Sequence, residues 1–320
     1  MDHHIEPGAG GAAGFMAFQH EVAVIIPTRA LASRRRLLRR ALDSVLEQEA
    51  VVPLPIVVVN GNEADRETLS ELRRCRRVKL VQQVEADLPS ALQAGHATVE
   101  TPWFGTLDDD DFLLPGALQA RCRVLAEVGE LDAIVTNGYR SSGGNLVLNI
   151  GDMEAIARDP LRALTDFNWL LPGSWTCATN AATSQLFQGM PRYRECTFLA
   201  IQLALHLRVH FLHVPTVVWH TDTPDSESKS AGYRIGQADA TRQLLRLDTP
   251  APLRASLRRS LSSAHHHAAT AALALGDRRE AWRQHLRSLA GHRAWRYLPF
   301  TLRLLMPRSM TGLDRCDEKT

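Results

Sequence analysis

Apolar residues near the start of the chain fall into short uninterrupted runs. Val22 to Ile26 is continuous, mostly β-branched, and ends at Pro27-Thr28; a second run, Ile56 to Val59, ends at Asn60-Gly61. Runs of this length bounded by turn formers predict strands buried on both faces, as in a parallel sheet. Between them Leu37, Leu38, Ala41, Leu42, Val45 and Leu46 recur at helical spacing, with Arg34, Arg35, Arg36, Arg39 and Arg40 around the start. Val22 to Val59 therefore reads as a βαβ unit. The pattern repeats as a polar helix over 63–74, a strand over 78–84, a helix over 90–98 and a strand over 103–107, which runs into Asp108 to Asp111. Such alternation predicts an open α/β sheet, with ligands beyond the carboxyl ends of the strands. Pro27-Thr28, Asn60-Gly61 and the aspartate run all fall at those ends.

Farther along, the periodicity predicts a helix over 116–128, a strand near 132–136 and a hairpin turn over 138–144. Residues 152–166 read as helical, and 170–179, with Trp175, as an irregular or strand segment. A loop from Pro191 to Glu195 leads to a helix over 196–207 and a strand over 209–219. The polar stretch from His220 to Gly232 has loop chemistry and reads as a mobile lid. Two helices over 252–275 and 278–289 are separated by Gly276-Asp277, a helix stop followed by an N-cap. A third helical segment spans 295–306. The most apolar stretch, Leu199 to Trp219, is interrupted by Gln202, His206, Arg208, His210, His213 and Pro215, which excludes a membrane span.

Composition changes this picture in one respect. The 320 residues suffice for one large domain with an appendage or for two domains, and the net charge is +2. That small total divides unevenly: residues 1–249 hold 24 basic and 30 acidic side chains, residues 250–320 hold 13 and 5. Only the C-terminal end therefore attracts anions. Cys75, Cys122, Cys177, Cys196 and Cys316 are scattered and odd in number, which fits a reducing compartment and neither a disulfide framework nor a zinc knuckle. The first residues lack the pattern of a signal peptide, and Gly8 to Gly14 reads as a flexible tail.

Four consecutive carboxylates at a strand end repel one another, and a divalent cation relieves that repulsion. Oxygen-only sites select Mg²⁺ or Mn²⁺, usually together with substrate phosphates, so the expected ligand is a metal-chelated phosphate ester. The competing reading is an acidic cap for the helix beginning near Pro115, but a cap needs one aspartate. His265, His266 and His267 point 100° apart on a helix and cannot converge on one ion; a solvated face is expected for them.

Taken together, these segments resemble the family 2 glycosyltransferases of the GT-A fold. The resemblance rests on Val22-Ala-Val-Ile-Ile-Pro-Thr28 with Leu42-Asp-Ser-Val-Leu-Glu-Gln48, Val57-Val-Val-Asn-Gly61, Ala91-Leu-Gln-Ala-Gly95, Leu107-Asp-Asp-Asp-Asp-Phe-Leu-Leu-Pro-Gly116 and Arg194-Glu-Cys-Thr-Phe-Leu-Ala200. It implies a GT-A-like open, mostly parallel sheet flanked by helices, with a helical C-terminal appendage. The divisions are a flexible tail over 1–20, a glycosyltransferase domain over 21–235 and a basic helical appendage over 236–320. It also implies metal-dependent, inverting transfer of a sugar from a nucleotide-diphosphate sugar to a hydroxyl of a glycan or glycolipid, in polysaccharide biosynthesis. Pro27, Thr28, Asn60, Gln93, Asp108 and Asp109 would bind the donor. Asp108, Asp110 and His220 would hold Mn²⁺ or Mg²⁺, with the metal rather than arginines neutralising the run. Glu195 would be the base that takes the acceptor proton. Asn60 stands where the family usually has aspartate, Gln93 where it often has asparagine, and Cys196 where a second acid is frequent. Those exchanges motivate the alternative of a non-catalytic scaffold with the same fold. Trp169 and Trp175 read equally as an acceptor-sugar platform and as core.

The arginine-rich appendage, with Trp282, Trp295, Tyr297 and Phe300, fits contact with anionic lipid or a lipid-linked acceptor, and equally a solvated cap. No nucleic-acid motif accompanies its charge. The expected location is the cytoplasm, with peripheral contact at the inner membrane face under the first of these readings.

Overall fold

A computed structural model describes residues 20–182, 186–291 and 294–306. The expected tail, apart from His20, and Arg293 and Cys316 lie outside the described residues. The predicted alternation is present: β1 (His20–Thr28), α1 (Arg35–Leu46), β2 (Val51–Asn60), α2 (Arg66–Arg74), β3 (Lys79–Gln83), α3 (Leu88–His96) and β4 (Trp103–Thr106). After the aspartates come β5 (Phe112–Leu113), α4 (Ala117–Glu127), β6 (Ala133–Ser142), β7 (Asn145–Leu148), α5 (Met153–Arg158), α6 (Pro160–Ala163) and β8 (Trp175–Ala178). Then follow α7 (Glu195–His206), β9 (Val209–His220), α8 (Ala231–Leu244), α9 (Ala251–Ala274), α10 (Arg278–Ser288) and α11 (Pro299–Leu305).

The strands form one open sheet in the order β3-β2-β1-β4-β8-β6-β9-β5, with β7 beside β6. Its N-terminal half, β3-β2-β1-β4, is parallel. In the other half β8 is antiparallel to β4 and β6, β6 is parallel to β9, and β5 is antiparallel to β9. Side chains alternate across the pleat. Val22, Val24, Ile26, Val57 and Val59 meet Leu38, Ala41, Leu42 and Val45 of α1 and Ala117 and Leu118 of α4. Ala23, Ile25, Ile56 and Val58 meet Ala91 and Leu92 of α3 and the apolar side of α7. Gly95 lets α3 approach closely, since a Cβ there would lie 2.5 Å from Ile25 Cγ2.

Trp169 and Trp175 are core residues, 0% and 1% exposed, packed edge-on against Phe211 and Phe104. This decides against the sugar platform. Helix α8 spans the expected boundary at 235/236, and Leu244, Leu253 and Leu257 join the main core. The rest of α9, with α10 and α11, closes a separate small core around Ala269, Leu273, Ala281, Phe300 and Leu304. Between α9 and α10, Gly276 adopts φ +80° and the Asp277 carboxylate accepts the Glu280 N–H, as expected of a stop and cap. The histidine run is not a solvated face: His265 is 4% exposed and hydrogen-bonded to Gln284, and His266 stacks on Tyr297. No described helix is long and apolar enough to cross a membrane.

Candidate active site

From β1 the chain steps outward to β2 and β3, then crosses back to lay β4 on the other side of β1. The segments leaving β1 and β4 therefore diverge, and a crevice opens between them at the carboxyl ends. A cleft of about 860 Å³ occupies that place. Pro27, Thr28, Asn60, Asp108, Asp109 and Asp110 line it from the parallel half, and Arg192, Tyr193, Glu227 and Lys229 from later segments.

The aspartate run is the turn between β4 and β5. It caps no helix, because the N-cap of α4 is Gly116 in the left-handed conformation with no side-chain bond. Ligand oxygens of Asp108, Asp110 and Asp111 lie within 4.8 Å of one another. Asp111 is fully buried; its Oδ1 accepts the His220 N–H at 2.7 Å, and its Oδ2 has no hydrogen-bond partner. Burial, followed by repulsion from the neighbouring aspartates, holds the Asp108 and Asp111 carboxyls well above the usual range. Three converging carboxylates, one with an orphaned buried oxygen, fit a hard divalent cation.

The structure places Asp111 with Asp108 and Asp110, and the His220 ring 3.6 Å from Asp111 Oδ1, facing the Arg40 guanidinium at 3.4 Å. Burial and that cation lower the His220 pKa. Arginines do neutralise part of the run. Arg34 pairs with Asp109 and, at 3.3 Å, with Asp110, while Arg40 donates to the Asp110 carbonyl. Asp109 also accepts the Thr28 hydroxyl at 2.5 Å, so it ties β1 and the start of α1 to the turn. The basic start of α1 was visible in the sequence, but its target was not.

Asn60 sits at the end of β2. Its Oδ1 accepts from Gln83 Nε2 and from the Asp87 N–H, each at 2.8 Å, an arrangement that orients the NH₂ group as its remaining polar contact. Gln93 does not line the cleft; its amide donates to the Phe187 carbonyl at 2.9 Å. Glu195 opens α7, and its Oε1 accepts the Tyr193 N–H at 2.8 Å. Burial raises its pKa to about 7, and its charge helps raise that of Asp108. Cys196 is close enough to Asp108, Glu195 and Asp111 for their charges, after burial, to push its thiol up.

Residues 23–183, about half of the chain, match the model of Glycosyl transferase family 2. The chain belongs to that family. It is a glycosyltransferase, and the aspartate turn and the part of the crevice lined by Pro27, Thr28, Asn60 and Asp108 to Asp110 fall within the matched span. Among solved structures it is similar to S. aureus TarS 1-349 in complex with UDP-GlcNAc, with a TM-score of 0.53 and 13% identity over 84% of this chain and 79% of that one. A second structure of TarS 1-349 gives a TM-score of 0.52 at 13% identity over the same shares. At such identity the likeness is one of fold, which is GT-A. No curated protein matches the sequence.

Proposed function

We propose that this glycosyltransferase is inverting and metal-dependent, and that it moves the sugar of a nucleotide-diphosphate donor onto a hydroxyl of a glycan or glycolipid. The observation that carries the reading is the converging Asp108, Asp110 and Asp111 carboxylates beside the cleft, with the partnerless Asp111 oxygen. The TarS complex with UDP-GlcNAc supports a nucleotide-sugar donor. Asp108 and Asp110 hold Mn²⁺ or Mg²⁺, with Asp111 beside them and His220 behind Asp111. When bound, the ion supplies Lewis-acid stabilisation of the departing diphosphate. Pro27, Thr28 and Asn60 line the nucleoside end, and Asp109 keeps Arg34 and Thr28 in register with the turn. The division into a transferase body and a basic helical appendage belongs to this reading. So does a cytoplasmic site of action, supported by the free thiols of Cys75, Cys122, Cys177 and Cys196.

Glu195 is the base. Its Oε1 is held by the Tyr193 N–H, which leaves Oε2 to take the acceptor proton as the hydroxyl oxygen attacks the anomeric carbon. A carboxyl with a pKa of about 7 is matched to that task near neutrality. The test is donor turnover with Mn²⁺ or Mg²⁺ in the wild type, Asp110→Ala and Glu195→Gln. Each variant is expected to lose about 100-fold or more, and the product anomer, read by NMR, to be inverted relative to the donor. Undiminished turnover in both variants would overturn the assigned roles.

A further inference from the structure

A second large concavity, about 830 Å³, lies among the C-terminal helices. Arg242 of α8, Arg258 and Arg259 of α9 and Arg287 of α10 line it, and Asp239 is its one carboxylate, already paired with Arg242. Among the described residues Arg258, Arg259 and Arg287 have no carboxylate partner within ion-pair distance, so their charge faces solvent. Next to this groove the chain exposes an apolar ridge. Trp295 is 71% exposed, Leu298 53%, Leu302 64% and Leu305 65%, at spacings that put them on one side of the final helical segment. The opposite side, Phe300 and Leu304, is buried against α9 and α10. Arg296 and Arg303 flank the ridge, and residues 294–306 contain no acid.

Groove and ridge are neighbours. Gly291 lines the groove, and Trp295 follows four residues later, within about 14 Å of chain reach. His265 lines the groove too, and its neighbour His266 stacks on Tyr297 at 4.4 Å between ring centres. A run of large exposed apolar side chains marks a contact surface. Arginines at its border and an exposed tryptophan at its edge select a surface that is apolar inside and anionic at its boundary.

We propose that this surface docks the protein on an anionic lipid bilayer, with lipid phosphates in the Arg242–Arg258–Arg259–Arg287 groove and the Trp295–Leu298–Leu302–Leu305 ridge inserted among the acyl chains. The inference rests on this surface alone and stands apart from the assignment of catalytic roles. Charge decides between occupants: six arginines and one carboxylate line groove and ridge, a balance that repels a second copy of the same face and complements anionic headgroups.

The test is sedimentation of the full chain with vesicles of phosphatidylcholine, alone or doped with phosphatidylglycerol, at low and high salt, together with tryptophan emission. Binding is expected only to doped vesicles, weakened by salt, with a blue shift that disappears in Trp295→Ala. Arg258→Glu with Arg287→Glu is expected to lower vesicle affinity about tenfold or more, and Leu302→Glu to abolish the salt-resistant part. All four positions are exposed, so circular dichroism is expected to report an unchanged fold. Equal binding to undoped vesicles, no binding, or binding indifferent to both variants would overturn the proposal. Self-association abolished by Leu302→Glu without vesicle binding would assign the ridge to a second copy, and glycerol phosphate binding without vesicle binding would make the groove a site for soluble phosphate.

Discussion

Tyr193 adopts φ +77°, a conformation that costs a side-chain-bearing residue about 1–3 kcal/mol. That geometry turns its N–H onto Glu195. The ring is held in a slot on α8, where a Cβ on Gly236 would come within 2.3 Å of it, and the Arg192 guanidinium lies 5.0 Å over its face while pairing with Glu227. In the proposed role of base, Glu195 with a pKa of about 7 works only when deprotonated, so kcat/KM is expected to fall as pH drops through about 7. A hydrogen bond to the charged carboxylate lowers its pKa, and losing that bond raises it. Gly236→Ala displaces the Tyr193 ring and is therefore expected to move the acid limb of the pH–rate profile upward and to reduce kcat; an unmoved limb would show that Tyr193 does not set the base. Glu195 was legible as an acid ahead of an apolar helix. Tyr193 was not, because a positive φ at a tyrosine leaves no mark in the residue pattern.

At the scale of elements, β1 was legible in its apolar run and β2 only in part. Its first half contains Pro53 and Pro55, which read against a strand, yet Val51–Asn60 is continuous. The prolines are tolerated because β3 begins pairing only at Ile56, so the outer side of that half needs no ladder donors. Helix α1 was clear from its stripe, but no local pattern gave its arginines a partner. Arg34, with a side chain only 12% exposed, serves two aspartates of a turn seventy-five residues away. Arg34→Ala is expected to cost about 3 kcal/mol in urea unfolding, because it strands Asp109 and Asp110 without their cation. Adding Asp109→Asn is expected to recover part of that loss. Additive losses in the double variant would show that the two groups are not coupled.

Over the whole molecule, the near-zero charge conceals an acidic body over residues 1–249 and a basic helical end over residues 250–320. The body uses Arg34 and Arg40 for part of its aspartate run and leaves Asp111 Oδ2 unsatisfied. Mn²⁺ is therefore expected to raise the melting temperature of the wild type by mass action on the folded state and not that of Asp111→Asn, as read by thermal shift. An equal rise in both would remove Asp111 from the site. The amino-acid sequence by itself determined the alternating strands and helices, the strand-end position of the aspartates and the charge asymmetry, because these follow from local periodicity and composition. Only the tertiary structure decided which carboxylates converge, which arginines answer them, that Trp169 and Trp175 are core, and that the last described helix keeps one apolar side outward. Each of those depends on groups far apart in the chain, whose distances no local pattern encodes.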